Sequence, residues 1–459
     1  MLALSASLGA PAPLAYTAAQ QGMEITALPG APTVPWKQFG GFVDLGPRGS
    51  TFFWLVESQR APATDPLLLW TNGGPGCSGL TGFMTEQGPF RPTANGSLEL
   101  NPYAWNLEAS VVFIEQPVGV GFSKAFGNLT YNDSNAASDN VKFVKGFMKL
   151  FPQFAANDFF ISSESYGGHY MPTLASALVD DGGVPNFKGF LVGNPLTFLT
   201  YRNYGEFGTY AGHQLLPKPL WEQYEAAGCR RAPGLDPGAL CANITGQMSK
   251  LTAGLDPYAL DFPKCNDAPL FEPGRRQRYA LMKAVHGKFS EYPYFPTDYQ
   301  PCTADWATAY LSRKDVQDAI HASTYFAGNW SACSDVVGAA YSQEDVAAPM
   351  MPVYEKLLKA SPPLKMLIYS GDDDAVCATL GTQQFIWDLG LSVVEPWAPW
   401  KMDSGPGCPE GPACKQIAGY ATKFDGLSFV TVHGAGHLVP ATRPAEGLQV
   451  LKNFLSGVW

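Results

Sequence analysis

Ser165 stands where a nucleophile would. It follows the apolar run 158–162 (DFFIS) and is framed as Ser163-Glu164-Ser165-Tyr166-Gly167-Gly168, after which the chain reads as a helix. A strand that turns sharply into a helix lifts a serine hydroxyl clear of its sheet and aims the helix N-terminus at a developing oxyanion, so small residues must flank the serine. The pattern departs from G-x-S-x-G at one place, Ser163 for the first glycine. Two more clusters complete a chemistry. Residues 364–370 (LKMLIYS) run into Gly371-Asp372-Asp373-Asp374, and residues 427–432 (LSFVTV) run into His433-Gly434-Ala435-Gly436-His437. A serine attacks a carbonyl once a base takes its proton, and the base works best when a carboxylate orients it, so the trio points to acyl transfer or hydrolysis.

These clusters must be held at the ends of strands. Apolar runs at 51–56, 67–70, 111–115, 159–162, 187–192, 364–370 and 427–432 read as a central sheet, several of them continuous, as helices on both faces require. The chain order serine, aspartate, histidine is that of the α/β-hydrolases, in which loops at one sheet edge gather distant residues. The expected fold class is therefore α/β: an α/β-hydrolase with a mostly parallel central sheet, helices on both faces and a large inserted lid. About 170 residues separate the strands ending near 193 and starting near 364, whereas a crossover needs only a dozen or more. The excess, 196–330, is read as the lid, with 34–195 and 331–459 as the two parts of the core and 1–33 as an N-terminal segment, a signal or propeptide remnant.

Further blocks carry a family resemblance. Asn72-Gly73-Gly74-Pro75-Gly76-Cys77-Ser78-Gly79, Trp105-Asn106, Phe113-Ile114-Glu115-Gln116-Pro117-Val118-Gly119-Val120-Gly121-Phe122-Ser123, Glu164-Ser165-Tyr166-Gly167-Gly168, the Gly-Asp-x-Asp of 371–374 and Gly436-His437-Leu438-Val439-Pro440 occur in the order found in serine carboxypeptidases. From about residue 34 to the C-terminus the chain resembles that family, of the carboxypeptidase Y and cathepsin A kind. The resemblance implies release of C-terminal residues from peptides and proteins through an acyl-enzyme at acidic pH, with Ser165 as nucleophile, His437 as base and Asp374 as its orienting acid. His433 is a rival base at the strand end. Asp372 is expected to bond turn amides and Asp373, at the variable position, to be solvated.

By the same resemblance the oxyanion hole is made by the backbone N–H groups of Gly74 and Tyr166; without the other blocks, 73–76 would read as a turn. Asn72, Glu86 and Glu164 would bind the substrate's terminal carboxylate, since two close carboxyls hold a proton and can donate it in a hydrogen bond. Thr81, Thr85, Cys377 and Leu438 would line side-chain pockets. The family's bridges suggest Cys77–Cys333 and Cys265–Cys302, with Cys229–Cys241 as a local pair and Cys408–Cys414 as partners within a Gly/Pro-rich insert, leaving Cys377 free of the nine cysteines. Acyltransferase and hydroxynitrile lyase relatives keep the elbow, and cathepsin A also protects partner enzymes. Asn72 and Glu164 are of the peptidase type, and nothing marks a scaffold surface.

Composition agrees with such an enzyme. A chain of 459 residues with 46% hydrophobic residues can bury a large core. A net charge of −10 without a Lys/Arg run argues against nucleic acid or an anionic membrane as partner, because both need concentrated positive charge. No run reaches the roughly 18 apolar residues of a membrane span. Sequons at Asn95, Asn128, Asn132, Asn243 and Asn329 favour the secretory route, secreted or vacuolar/lysosomal, when joined to the resemblance. The expected partners are peptide and protein C-termini, the oligomer a monomer or homodimer, and neither cofactor nor metal is called for.

Overall fold

The computed structural model describes residues 14–265, 299–403 and 415–459. Its strands are β1 (Gln38–Asp44), β2 (Gly49–Val56), β3 (Leu67–Trp70), β4 (Phe90–Pro92), β5 (Leu98–Leu100), β6 (Ser110–Ile114), β7 (Lys124–Ala125), β8 (Phe159–Glu164), β9 (Phe187–Gly193), β10 (Lys365–Gly371), β11 (Val393–Asp403), β12 (Lys415–Phe424) and β13 (Leu427–Val432). The large sheet runs β1-β2-β6-β3-β8-β9-β10-β13-β12-β11, with β7 on β2 and β4–β5 a separate ribbon. From β6 to β13 the pairings are parallel; β1-β2-β6 and β13-β12-β11 are antiparallel.

Period-two alternation divides the core into two layers. On β2, Phe53 and Leu55 join one buried cluster, while Phe52, Trp54 and Val56 join the other. Leu67 and Leu69 of β3 face the first layer, Leu68 and Trp70 the second. Because both sides of a strand must be apolar when helices cover both faces, these strands read as unbroken hydrophobic runs. The first layer is closed by Phe143 and Phe147 of the helix Asp133–Leu150 and by Met171 and Leu174 of Gly167–Asp181. The second is closed by Leu448, Leu451 and Phe454 of Pro444–Ser456.

Between β9 and β10 the helices Leu199–Gly212, Lys218–Ala226 and Gly238–Thr252 form a cap with its own core of Tyr204, Phe207, Tyr210, Tyr224, Ile244 and Met248. The second half of this stretch belongs elsewhere by packing. Helices Thr303–Leu311 and Lys314–Ala319 put Ala307, Tyr310, Leu311 and Val316 into the second layer beside Trp54 and Trp70. The lid expected to run to 330 thus gives way to body before that point, a difference set by which apolar face each helix buries. Among the described residues no helix is long and apolar enough to cross a membrane.

Candidate active site

The end of β8 has the geometry that a serine nucleophile needs. Ser165 has φ 60°, the left-handed region that a non-glycine residue occupies only when its surroundings enforce it. The Ser165 N–H donates to the Gly193 carbonyl (3.1 Å), and the Ser165 carbonyl accepts from Leu196 N–H (2.8 Å), so the end of β9 clamps the turn. A Cβ on Gly167 would lie 2.1 Å from Ser163 Oγ, and one on Gly168 would lie 2.2 Å from the Leu196 carbonyl. Ser163 is therefore tolerated in place of the first glycine because Gly167 leaves room for its hydroxyl.

The Asn-Gly-Gly-Pro-Gly loop after β3 packs directly onto this elbow. A Cβ on Gly73 would stand 2.4 Å from the Tyr166 nitrogen, and Gly74 has φ +112°, so both positions need glycine. Neither the Gly74 nor the Tyr166 N–H donates a hydrogen bond among the described residues.

Asp374 and His437 meet at the neighbouring strand ends. The imidazole Nδ1 lies 2.8 Å from Asp374 Oδ2, with both side chains buried. Asp374 also accepts from Val376 N–H (2.7 Å), Cys377 N–H (3.0 Å) and Asn194 Nδ2 (2.8 Å). Together these donors fix the orientation of the carboxylate against the imidazole. His437 Nε2 is buried with no hydrogen-bond partner among the described residues. Cys377 also touches this pair, its N–H donating to Asp374. The thiol is free and buried, and burial pushes its pKa up. Serine–histidine hydrogen bonds are often long without substrate, and none is formed here among the described residues.

His433 pairs instead with Asp372 (Nδ1 to Oδ2, 2.8 Å) in partly exposed surroundings, and Asp372 Oδ1 also accepts from Gly434 N–H. Asp373 corrects the expectation of a solvated side chain. It is 2% exposed, and burial, helped by the nearby acids Asp261, Asp372 and Asp374, pushes its carboxyl up to about 7.

Beside the elbow lies a buried knot of Asn72, Glu86 and Glu164. Asn72 Oδ1 accepts from Trp70 Nε1 (2.9 Å) and Gly82 N–H (3.0 Å), which fixes the amide so that Nδ2 donates to Glu164 Oε1 (2.7 Å) and Glu86 Oε1 (3.1 Å). The two carboxyls thus share one amide nitrogen as donor, while Glu86 Oε2 has no hydrogen-bond partner among the described residues. Burial raises Glu86 to about 7 and lifts Glu164 well above the usual range, the latter helped by the charge of Glu86. Thr85 is buried and donates to the Thr81 carbonyl (2.8 Å), while Thr81 and Leu438 are half-buried.

Two supporting residues escape sequence reasoning. Asn194, just after β9, donates to Asp374 and accepts from Gly371 N–H (3.0 Å); its position at a strand end before Pro195 is the only signal. Glu115 accepts from Ser78 Oγ (2.5 Å), Trp330 Nε1 (2.7 Å) and Phe122 N–H (2.5 Å), and burial pushes it up to about 7. The structure joins Cys77 to Cys333, Cys229 to Cys241 and Cys265 to Cys302. Cys408 and Cys414 lie outside the described residues. Asn95, Asn128, Asn243 and Asn329 are exposed, whereas Asn132 is half-buried and caps a helix through Asn135 N–H (2.7 Å).

Comparison with known proteins now bears on this geometry. A family profile described as serine carboxypeptidase matches residues 29–457. The chain is 36% identical to serine carboxypeptidase-like 26 of Oryza sativa subsp. japonica over 95% of this chain and 91% of that protein. It is 34% identical to serine carboxypeptidase 24 of Arabidopsis thaliana, over 95% and 93%. Its fold is similar to that of a prohormone-processing carboxypeptidase, Kex1(delta)p of Saccharomyces cerevisiae, with TM-score 0.76 and 21% identity over 95% of this chain and 96% of the other.

Proposed function

Given that this chain belongs to the serine carboxypeptidase family, and so is a serine-type hydrolase, we propose that it removes residues one at a time from peptide C-termini and does so best in acid. Ser165 Oγ attacks the last peptide carbonyl, and His437 Nε2 takes its proton and returns it to the departing amine. Asp374 holds the imidazole by Nδ1 and stabilises its charged form. The N–H groups of Gly74 and Tyr166 receive the negative oxygen of the tetrahedral intermediate. Water then repeats the attack on the acyl-enzyme, with His437 again as base.

The observation that carries the exopeptidase reading is the Asn72–Glu86–Glu164 knot. A buried pair of carboxyls that keeps one proton presents a hydrogen-bond donor to a substrate carboxylate, where an ordinary pair would repel it. Asn72 holds both carboxyls in place from an amide whose orientation is locked. Thr81, Thr85, Cys377 and Leu438 are assigned to the walls that meet the side chains on either side of the cut. Three disulfides and the exposed sequons support a secretory, acidic compartment.

The test is a pair of peptides that differ only in a free or amidated C-terminus, followed by mass spectrometry of the products. We expect stepwise loss of single residues from the free acid and at least about ten-fold weaker kcat/KM for the amide, the value of one charge-assisted hydrogen bond. Equal rates on both peptides, or internal cuts, would overturn the assignment of the knot.

A further inference from the structure

The loop that carries Asp374 is stitched to one short segment of the cap. Ala375 N–H donates to the Pro257 carbonyl (2.9 Å), Leu260 N–H to the Asp373 carbonyl (3.1 Å) and Asp261 N–H to Asp373 Oδ2 (3.1 Å). The base is tied to the same segment, since His437 N–H donates to the Tyr258 carbonyl (2.6 Å) and the Tyr258 ring stands edge-on to the imidazole. This seam closes at a cluster the proposed reaction does not use. A ring nitrogen of His213, at the end of the helix Leu199–Gly212, and carboxylate oxygens of Asp261 and Asp373 lie within 4.8 Å of one another.

An independent feature marks the cluster as incomplete. Asp373 is 2% exposed, its Oδ2 is taken by Asp261 N–H, and its Oδ1 is buried without a hydrogen-bond partner among the described residues. A buried carboxylate oxygen left unsatisfied is costly, and the charged groups that act most strongly on Asp373 are themselves acidic: Asp261, Asp372 and Asp374. The histidine that also acts on Asp261 is His433, whose Nδ1 is bonded to Asp372. His213 and Asp261 are exposed, so a small cation can reach the cluster from solvent.

We propose that His213, Asp261 and Asp373 bind a divalent cation of the zinc class, which clips the cap to the catalytic-acid loop. One imidazole and two carboxylates suit Zn²⁺ better than Ca²⁺ or Mg²⁺, which prefer all-oxygen shells of six or more ligands. Zinc bonds of about 2.0–2.2 Å bring donor atoms to roughly 3.5 Å apart, so the two exposed side chains must close by about 1 Å, with water as fourth ligand. No catalytic step passes through the ion. It acts by holding residues 257–261 against the loop that positions Asp374.

The experiment uses the untagged full chain at pH 7, with Zn²⁺ titrated in a calorimeter and in thermal melts. We expect one ion per chain and a melting temperature that rises with Zn²⁺ concentration, with neither effect from Mg²⁺ or Ca²⁺ at the same concentrations. In His213→Ala and in Asp261→Asn the affinity should fall at least about ten-fold and the melting shift should vanish. Metal-free stability and ester turnover of both variants should match the wild type, because both side chains are exposed. Absence of stoichiometric binding overturns the proposal. So does binding that survives both substitutions, which would place the ion elsewhere, such as at His437. A metal-free melting temperature lowered by either substitution would also overturn it, since that residue would then hold the cap by itself.

Discussion

Two aspartate–histidine pairs leave the same edge of the sheet, on the same two loops, with the same 2.8 Å separation. Asp374–His437 is buried, 0% and 2% exposed, whereas Asp372–His433 is 37% and 51% exposed. Asp374 takes three further donors, two of them backbone N–H groups of its own loop and one from Asn194. In the exposed pair, water and salt screen the interaction, and the hydrogen bond to Asp372 raises the His433 pKa without giving it a substrate to act on. A third pair, Asp133–His169 at 2.9 Å, sits behind the elbow, where Asp133 also accepts from Tyr166 and Tyr341 hydroxyls. Hydrogen-bond length therefore does not identify the base. What sets Asp374–His437 apart is burial of both partners, with three further donors on the acid.

Substitutions should separate these pairs widely. Ser165→Ala should lower kcat by about a million-fold with the fold intact, since the nucleophile is lost while the binding sites remain; turnover near wild type would remove Ser165 from the mechanism. Asp374→Asn should cost about ten-thousand-fold in kcat, because the amide donates where the imidazole N–H must be accepted. Asp372→Asn should stay within about three-fold, as expected for an exposed pair. If the two asparagine variants were equally damaged, burial would not be the deciding difference.

The carboxyl knot sharpens the comparison through pH. For a free-acid peptide, KM should rise up to about ten-fold per pH unit once the shared proton is lost, near or above pH 7 from the raised Glu86 and Glu164, while ester hydrolysis follows a different profile. In Glu86→Gln/Glu164→Gln the donors persist at every pH, so the KM rise should flatten. An unchanged KM profile in that variant would assign the pH dependence to other groups.

Stability should move the other way from that of a protein held by salt-bridged acids. Glu115 has a folded pKa of about 7 against an ordinary value of 4.5, so its protonated form is favoured on folding. Its contribution is fully present below about pH 4.5 and is lost as pH rises through about 7, by at most about 1.4 kcal/mol per pH unit. Urea melts of wild type should therefore show falling stability across that window. Glu115→Gln should reduce the slope but cost about 1–3 kcal/mol throughout, because either amide orientation sets a donor against Ser78 and Trp330 or against the Phe122 N–H. A slope identical to wild type would place the titration in the other buried acids.

Much of this was legible in the chain itself. The seven runs are strands, because a strand covered on both faces must be apolar on both, as residues 52–56 are. The edge strands were not. β11 carries Pro396 and Pro399 and is largely exposed, and proline and exposure are tolerated only where a strand has one neighbour. Ser165 was legible from its strand, its glycines and the order of the blocks, all local properties of sequence. Tertiary structure alone decided that Asp373 is buried rather than solvated, that Asn194 locks Asp374, that Glu115 is enclosed by Ser78 and Trp330, and that 303–319 belongs to the body. Each of these depends on which distant segment covers a side chain, and the free energy of a charge or a donor is set by that cover rather than by its neighbours along the chain.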